Sequence, residues 1–195
     1  MKKILFVLAL ATLTVSAQAQ FGVKGGVNIA NWGGDDADDE GKKSLIGPYF
    51  GVFYNVKCGD MFSIQPELVY SAQGAKYEVL GEKAKIAASY INLTPLFRLN
   101  TSSGFFVGVG PQIGFLMSAK IKADGEEDQD VKDDMKGTDI AAAIAVGYEM
   151  KSGFGFYARY NHGLTTVADD DDSKVFNRVF QVGLRYAINT GKDKK

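Results

Sequence analysis

Apolar and polar side chains alternate along eight stretches of this chain, which is the period of a β-strand with two different faces. The stretch 62–73 shows it most clearly. One of its faces is apolar, and the other carries Ser63, Gln65, Glu67, Ser71 and Gln73. The same pattern predicts strands at 21–31, 49–57, 62–73, 89–99, 105–118, 139–150, 154–164 and 175–188.

The connections between these strands alternate in length. Short turns fall at 58–61, 100–104 and 151–153, and longer segments fall at 32–48, 74–88, 119–138 and 165–174. This alternation is typical of outer-membrane barrels, whose short turns face the periplasm and whose long loops face outward. An even number of strands also places both termini on the side of the short turns.

Two kinds of barrel fit this pattern. A lipocalin-like soluble barrel would turn its apolar face inward and expose its polar face to water. Here the polar face consists mostly of Gly, Ala, Asn and Gln, which suits the crowded interior of a narrow barrel. The apolar face carries aromatic residues near both strand ends, as membrane girdles do. The sequence therefore predicts an all-β fold, an eight-stranded antiparallel up-and-down transmembrane β-barrel with four longer extracellular loops.

Three prolines conflict with regular strands. Pro66, Pro95 and Pro111 lie inside predicted strands on the lipid-facing set. Proline donates no hydrogen bond to a strand ladder, and a closed barrel has no edge that would tolerate it. We therefore predict β-bulges at these positions.

The N-terminus has the features of a secretory signal. Lys2 and Lys3 precede an apolar run at 4–17, and Ala17-Gln18-Ala19 is a small-x-small cleavage site. We predict a cleaved signal peptide at 1–19, a barrel at 20–188 and a short polar tail at 189–195. The predicted location is the outer membrane of a Gram-negative cell, with both termini in the periplasm.

Charge excludes some functions. The chain has 22 Lys and Arg against 23 Asp and Glu, and the acidic residues concentrate at 35–40, 124–134 and 169–172. No basic patch predicts nucleic-acid binding. Asp36-x-Asp38-x-Glu40-Gly41 resembles the start of an EF-hand loop, but its twelfth position is Gly47 rather than Glu. We therefore predict no metal site and no cofactor, and solvated acidic loops that hold divalent ions only loosely.

Three segments resemble a known family. They are Gly22-Val23-Lys24-Gly25-Gly26-Val27-Asn28, Tyr90-Ile91-Asn92-Leu93-Thr94-Pro95-Leu96-Phe97-Arg98 and Gly108-Val109-Gly110-Pro111-Gln112-Ile113-Gly114. The chain resembles the PorT-like outer membrane β-barrel, or "porin family", proteins of Bacteroidota. This resemblance implies an eight-stranded barrel similar in architecture to OmpA and OmpX, and it implies no reaction.

Six charged residues fall on the predicted inner face: Lys24, Glu67, Arg98, Glu149, Arg159 and Arg185. Glu149, Arg185 and Lys24 lie near the short-turn end, so we predict that they cluster. Glu67 and Arg159 lie at similar heights on opposite strands, so they can meet across the lumen. The set forms either a plug of paired charges or a selectivity filter. The plug is favoured because eight strands leave little room inside.

Candidate catalytic residues are few. His162 is the only histidine and falls on the lipid-facing set, and Cys58 is the only cysteine, so no internal disulfide can form. We predict a non-enzymatic monomer whose partners are outer-membrane lipids, lipopolysaccharide and a protein of the envelope or the exterior. Two alternatives stay open, a narrow solute or ion channel and a lipid-modifying barrel enzyme.

Overall fold

The computed structural model describes residues 19–35, 37, 42–79, 82–123, 127–169 and 174–188. Most of the predicted signal peptide and the C-terminal tail lie outside them. Among the described residues, no helix is long and apolar enough to cross a membrane. The strands are β1 Ala19–Gly33, β2 Lys42–Lys57, β3 Phe62–Val79, β4 Glu82–Asn100, β5 Phe105–Ala123, β6 Gln129–Asp130, β7 Thr138–Glu149, β8 Phe154–Thr166 and β9 Phe176–Ile188, with a 3₁₀ turn at Lys132–Asp134.

Eight of these strands form a closed antiparallel ring. Each pairs with its neighbour in sequence order, skipping β6, and β1 pairs with β9 to close the circle. Phe21 lies opposite Ile188 in that closing pair, and Gly33 lies opposite Phe176. The two-residue strand β6 adds to β5 outside the ring. The predicted eight-stranded antiparallel barrel is confirmed.

The apolar face of the wall points outward. Phe50 and Phe105 are each 60% exposed, whereas Gln65 and Glu67 are 2% and 3% exposed. Side chains alternate between these two environments along each strand because successive residues point to opposite faces. The lipocalin-like alternative, which needs the aromatic residues inside, is therefore wrong.

The strands extend further toward the long-loop end than the sequence predicts. β3 and β4 pair without a break from Phe62–Leu99 to Val79–Glu82, so most of the predicted loop 74–88 is a β-hairpin. Segment 42–48 likewise belongs to β2, and 119–123 belongs to β5. Parts of three predicted loops are therefore barrel wall.

The predicted proline bulges are wrong. Pro66 lies opposite Pro95 in an uninterrupted β3–β4 register. Between β4 and β5, pairing stops beside Pro95 but resumes in the same register, with Leu93 opposite Ile113 and Phe97 opposite Val109. The register shifts instead lie at Ser44/Tyr49, Ser89/Tyr90 and His162/Thr166. The ladder omits bonds near the prolines without inserting a residue.

Candidate functional site

The candidate site is the interior of the barrel at the short-turn half. All six predicted charged residues point into it from the alternating inward positions of their strands. Lys24, Glu67, Arg98, Arg159 and Arg185 are buried. The side chain of Glu149 remains 19% exposed. Charges this deep need partners, because burying an unpaired charge is costly.

Glu67 is the centre of the first group of charges. Its Oε2 lies 2.8 Å from Lys24 Nζ, which donates a hydrogen bond to it. The same oxygen lies 2.8 Å from Arg159 Nη2 on the far wall. The second contact is an ion pair without hydrogen-bond geometry, so Arg159 Nη2 has no hydrogen-bond partner among the described residues. One carboxylate therefore joins β1, β3 and β8.

Glu149 is the centre of the second group, nearer the short turns. Its Oε2 lies 3.0 Å from Arg185 Nη2 and 3.5 Å from Arg98 Nη2. These residues belong to β7, β9 and β4. Each carboxylate thus holds two cations, and the six charges sum to an excess of two positive charges.

Gln65 connects the two groups. Its Oε1 accepts hydrogen bonds from Arg98 Nη1 at 2.5 Å and from Arg185 Nη2 at 2.9 Å. Its Nε2 donates to Glu67 Oε1 at 2.6 Å. Lys24 was predicted to cluster with Glu149 and Arg185. It lies opposite Arg185 in the β1–β9 register and lines the same small cavity, but its hydrogen bond goes to Glu67.

Aromatic rings cover the cations. Lys24 Nζ lies 4.3 Å from the centre of the Tyr157 ring. The guanidinium carbons of Arg98 and Arg185 lie 3.9 Å and 4.2 Å from the rings of Phe106 and Phe53. A cation above a ring face is attracted by the quadrupole of the ring, which offsets part of the positive excess. These three rings were not among the predicted site residues, although alternation places them on the inward set of their strands.

The packed side chains leave little space. A cavity of about 10 Å³ remains between Lys24, Glu67, Tyr157, Arg159 and Arg185. That is about the volume that one water molecule needs. The arrangement can hold the wall strands together across the lumen.

A second polar network lies above this one, toward the long loops. Trp32 Nε1 donates to Asn177 Oδ1 at 3.0 Å, and Asn177 Nδ2 donates to Asp139 Oδ2 at 3.0 Å. Thr165 Oγ1 donates to the other oxygen of Asp139 at 3.3 Å. Asp139 is 4% exposed and was not among the predicted site residues, although alternation places it on the inward face of β7.

The remaining candidates lie away from the lumen. His162 is exposed on the outer face of β8, with Nδ1 3.3 Å from Tyr160 Oη. Cys58 is exposed in the turn between β2 and β3. Within the described parts of the chain, no group of three or more His, Cys, Asp or Glu side chains is placed to hold a metal ion. Most of the EF-hand-like segment at 36–41 falls outside the described residues.

A family comparison gives an extensive match. The sequence model of the family described as "Outer membrane protein beta-barrel domain" matches residues 15–169. That match covers most of the barrel wall. A search of curated proteins found no match.

Several solved structures resemble this one at low sequence identity. Ail, the attachment invasion locus protein of Yersinia pestis, is 15% identical in its complex with the heparin analogue sucrose octasulfate, with a TM-score of 0.48 over 86% of this chain and 99% of that one. Neisserial surface protein A is 15% identical, with a TM-score of 0.47 over 86% and 97%. OprG from Pseudomonas aeruginosa is 12% identical, with a TM-score of 0.40 over 87% and 95%.

Proposed function

Because this chain belongs to the family of outer membrane protein beta-barrel domains, we propose that it is a non-enzymatic outer-membrane barrel with a plugged lumen that acts through its long-loop end. In this proposal the short turns and both termini face the periplasm, and the long loops face the exterior. The finer resemblance to PorT-like barrels of Bacteroidota belongs to the same proposal.

The observation that carries this proposal is the charge network across the lumen. Glu67 joins opposite walls through Lys24 and Arg159, and Glu149 holds Arg98 and Arg185 below it. Between them remains space for about one water molecule. A hydrated ion would have to displace buried, paired charges to pass, which is energetically costly.

The environment of His162 supports a non-enzymatic role. A general base must lie within hydrogen-bond reach of the proton that it removes, with groups that position it. His162 instead lies on the outer wall, beside the ring and hydroxyl of Tyr160. The proposed partners are the outer-membrane lipids and lipopolysaccharide around the wall, and a protein at the loop end of a monomeric barrel.

Single-channel recording in planar bilayers tests the plug. The wild-type protein is expected to give no unitary conductance steps. A variant with Arg98→Ala and Arg185→Ala removes two guanidinium groups from the lumen, and it is expected to conduct. Migration of boiled and unboiled samples on detergent gels checks that each variant is folded.

Matched controls separate the lumen from the wall. Lys120→Ala changes an exposed cation at the loop end, and it is expected to leave the bilayer silent. Wild-type steps whose ion selectivity changes with Lys24→Gln would overturn the plug and establish the narrow channel. A lipid-modifying activity that His162→Ala abolishes would overturn the non-enzymatic role.

A further inference from the structure

The polarity of the barrel wall reverses at the long-loop end. Along the membrane part of β3 the outward residues are apolar and the inward ones are polar, as Leu68 and Glu67 show. Beyond residue 74 the inward residues become Ala75 and Tyr77, and the outward one between them is Lys76. The neighbouring strands repeat the change, with buried Ala88 and Ala119 inside and Lys85, Lys120 and Lys122 outside. This end of the barrel has the polarity of a water-soluble barrel, in which apolar side chains line the interior.

The reversed segment lines an open cavity of about 450 Å³. Ligand pockets commonly measure about 300–1,000 Å³ and are mostly apolar. Several strands and loops contribute its walls, among them the side chains of Trp32, Tyr77, Ile86, Ile121, Val167 and Val175. Its wall area is mainly apolar.

The walls of this cavity are held by main-chain contacts between loops. Met135 and Ala168 form a β-bridge, and Lys136 N donates to the carbonyl oxygen of Val167 at 2.9 Å. Val167 N donates in turn to Val175 O at 2.8 Å. The Trp32 ring is oriented from below by the hydrogen bond from its Nε1 to Asn177. A cavity with walls held in this way is pre-organised, so ordering the site on ligand binding costs less free energy.

The cavity lining includes one charged side chain, the carboxylate of Asp134. Around it, segment 127–136 carries exposed carboxylates at Glu127, Asp128, Asp130 and Asp133, against Lys132 and Lys136. Lysines of the same height point outward from β3, β4 and β5, away from the cavity. An anionic ligand would therefore lose hydration inside an apolar wall and lie beside the Asp134 carboxylate.

We propose that this cavity, the loop-end cup, binds a small neutral aromatic molecule beside Trp32. Two aromatic rings and a set of branched aliphatic side chains fit a flat apolar ligand, and the Asp134 carboxylate in the lining disfavours anions. This site extends the proposed function. It depends on that proposal only in placing the ligand-binding role at the long-loop end. Binding is measured on the purified barrel and does not depend on whether the lumen conducts.

Trp32 is the only tryptophan in the sequence, so its fluorescence reports on this cup alone. The probe is N-phenyl-1-naphthylamine, a neutral naphthalene, added to the protein in lipid nanodiscs with empty nanodiscs as the blank. Quenching of Trp32 is expected to saturate at one probe per barrel. The same ring system with a sulfonate, 1-anilinonaphthalene-8-sulfonate, is expected to bind on the order of tenfold more weakly, because its charge loses hydration in an apolar lining that also contains the Asp134 carboxylate.

Two cavity-filling variants and one matched control locate the site. Ala168→Phe and Ile121→Phe each place an aromatic ring in the cup, and each is expected to weaken binding by about tenfold or more. Ala87→Phe adds the same ring on the outer face of β4, and it is expected to leave the affinity within about twofold of the wild type. Two filling variants are used so that misfolding of one leaves the test intact.

Three results would overturn the loop-end cup. Quenching that rises linearly without saturation is partition into lipid. Equal affinities in the filling variants and in Ala87→Phe place the probe elsewhere. Absence of binding to the folded wild-type protein means that the cup does not take a neutral aromatic ligand. Conductance recordings of the same purified protein in planar bilayers test independently whether the lumen is plugged.

Discussion

Glu67 and Arg159 stand on diametrically opposite strands of the ring and meet in its centre, with Oε2 and Nη2 2.8 Å apart. Three strands separate β3 from β8 in either direction around the barrel. The side chains of these two residues therefore span the lumen as a cross-brace. Lys24 shares the same carboxylate oxygen, so the brace has three anchor points on the wall.

Removal of the carboxylate should destabilise the barrel strongly. Glu67→Gln keeps the side-chain volume but leaves Lys24 and Arg159 buried beside a neutral amide. Loss of one partner from a buried ion pair costs about 3–5 kcal/mol, so a decrease of that size is expected in the free energy of unfolding. Urea titration of the protein in lipid vesicles, followed by Trp32 fluorescence, measures it.

The control for this variant is a surface pair. Glu78 binds Lys43 at 2.6 Å, and the Lys43 side chain is 56% exposed. Exposed pairs contribute about 0–1 kcal/mol, so Glu78→Gln should have little effect on unfolding. A double-mutant cycle on Glu67 and Arg159 isolates their coupling. A coupling energy near zero contradicts the cross-brace.

Tyr49 requires glycine at Gly183. A Cβ atom on Gly183 would clash with Tyr49 Oη and with the carbonyl oxygen of Gly25. Overpacking of this kind costs about 1–3 kcal/mol, and backbone atoms can yield less than a flexible side chain. Gly183→Ala should therefore lower the folded fraction on unboiled detergent gels, and adding Tyr49→Phe should restore part of it.

Gly137 provides the comparison for this glycine, because a Cβ there would meet nothing within 4 Å. Gly137→Ala should fold as the wild type does. If both glycine variants fold equally well, the close packing of Tyr49 against the wall is not a constraint on folding.

The outward apolar surface should not tolerate charge at mid-height. Val109 is 55% exposed on β5 between Phe97 and Ile144 of the adjacent strands. Arginine in the middle of a lipid-facing wall costs about 2–4 kcal/mol, whereas near the interface it costs about 0–1 kcal/mol. Val109→Arg should lower the free energy of unfolding in vesicles by the larger amount, and Met117→Arg, on the outward face of the same strand nearer the loop end, by the smaller one. Equal costs would indicate that lipid does not surround this wall at Val109.

Alternation predicted the ring, the inward position of the six charges and the opposite placement of Glu67 and Arg159. It did not reveal the loop-end cup, because outward Lys76 and Lys85 have the composition of a loop. Only the burial of Ala75 and Ala119 identifies these segments as wall. The sequence could not predict that Gln65 links the Glu67 and Glu149 groups, since such a link depends on side-chain rotamers rather than on strand register. The prediction of β-bulges at the prolines was wrong because a strand ladder can omit hydrogen bonds and keep its register.

Cys58 allows the orientation of the barrel to be tested without adding a label site. It is the only cysteine of the chain and is exposed in the short turn between β2 and β3. If short turns face the periplasm, a membrane-impermeant maleimide should leave intact cells unlabelled and should react after the outer membrane is permeabilised.

For the opposite end, Ser44→Cys in a Cys58→Ser background places an exposed thiol beyond the register shift of β2. This variant should be labelled on intact cells, because the long-loop end is exposed there. The reverse result for both thiols would place the acidic loops in the periplasm, and the loop-end cup would then meet periplasmic rather than external ligands.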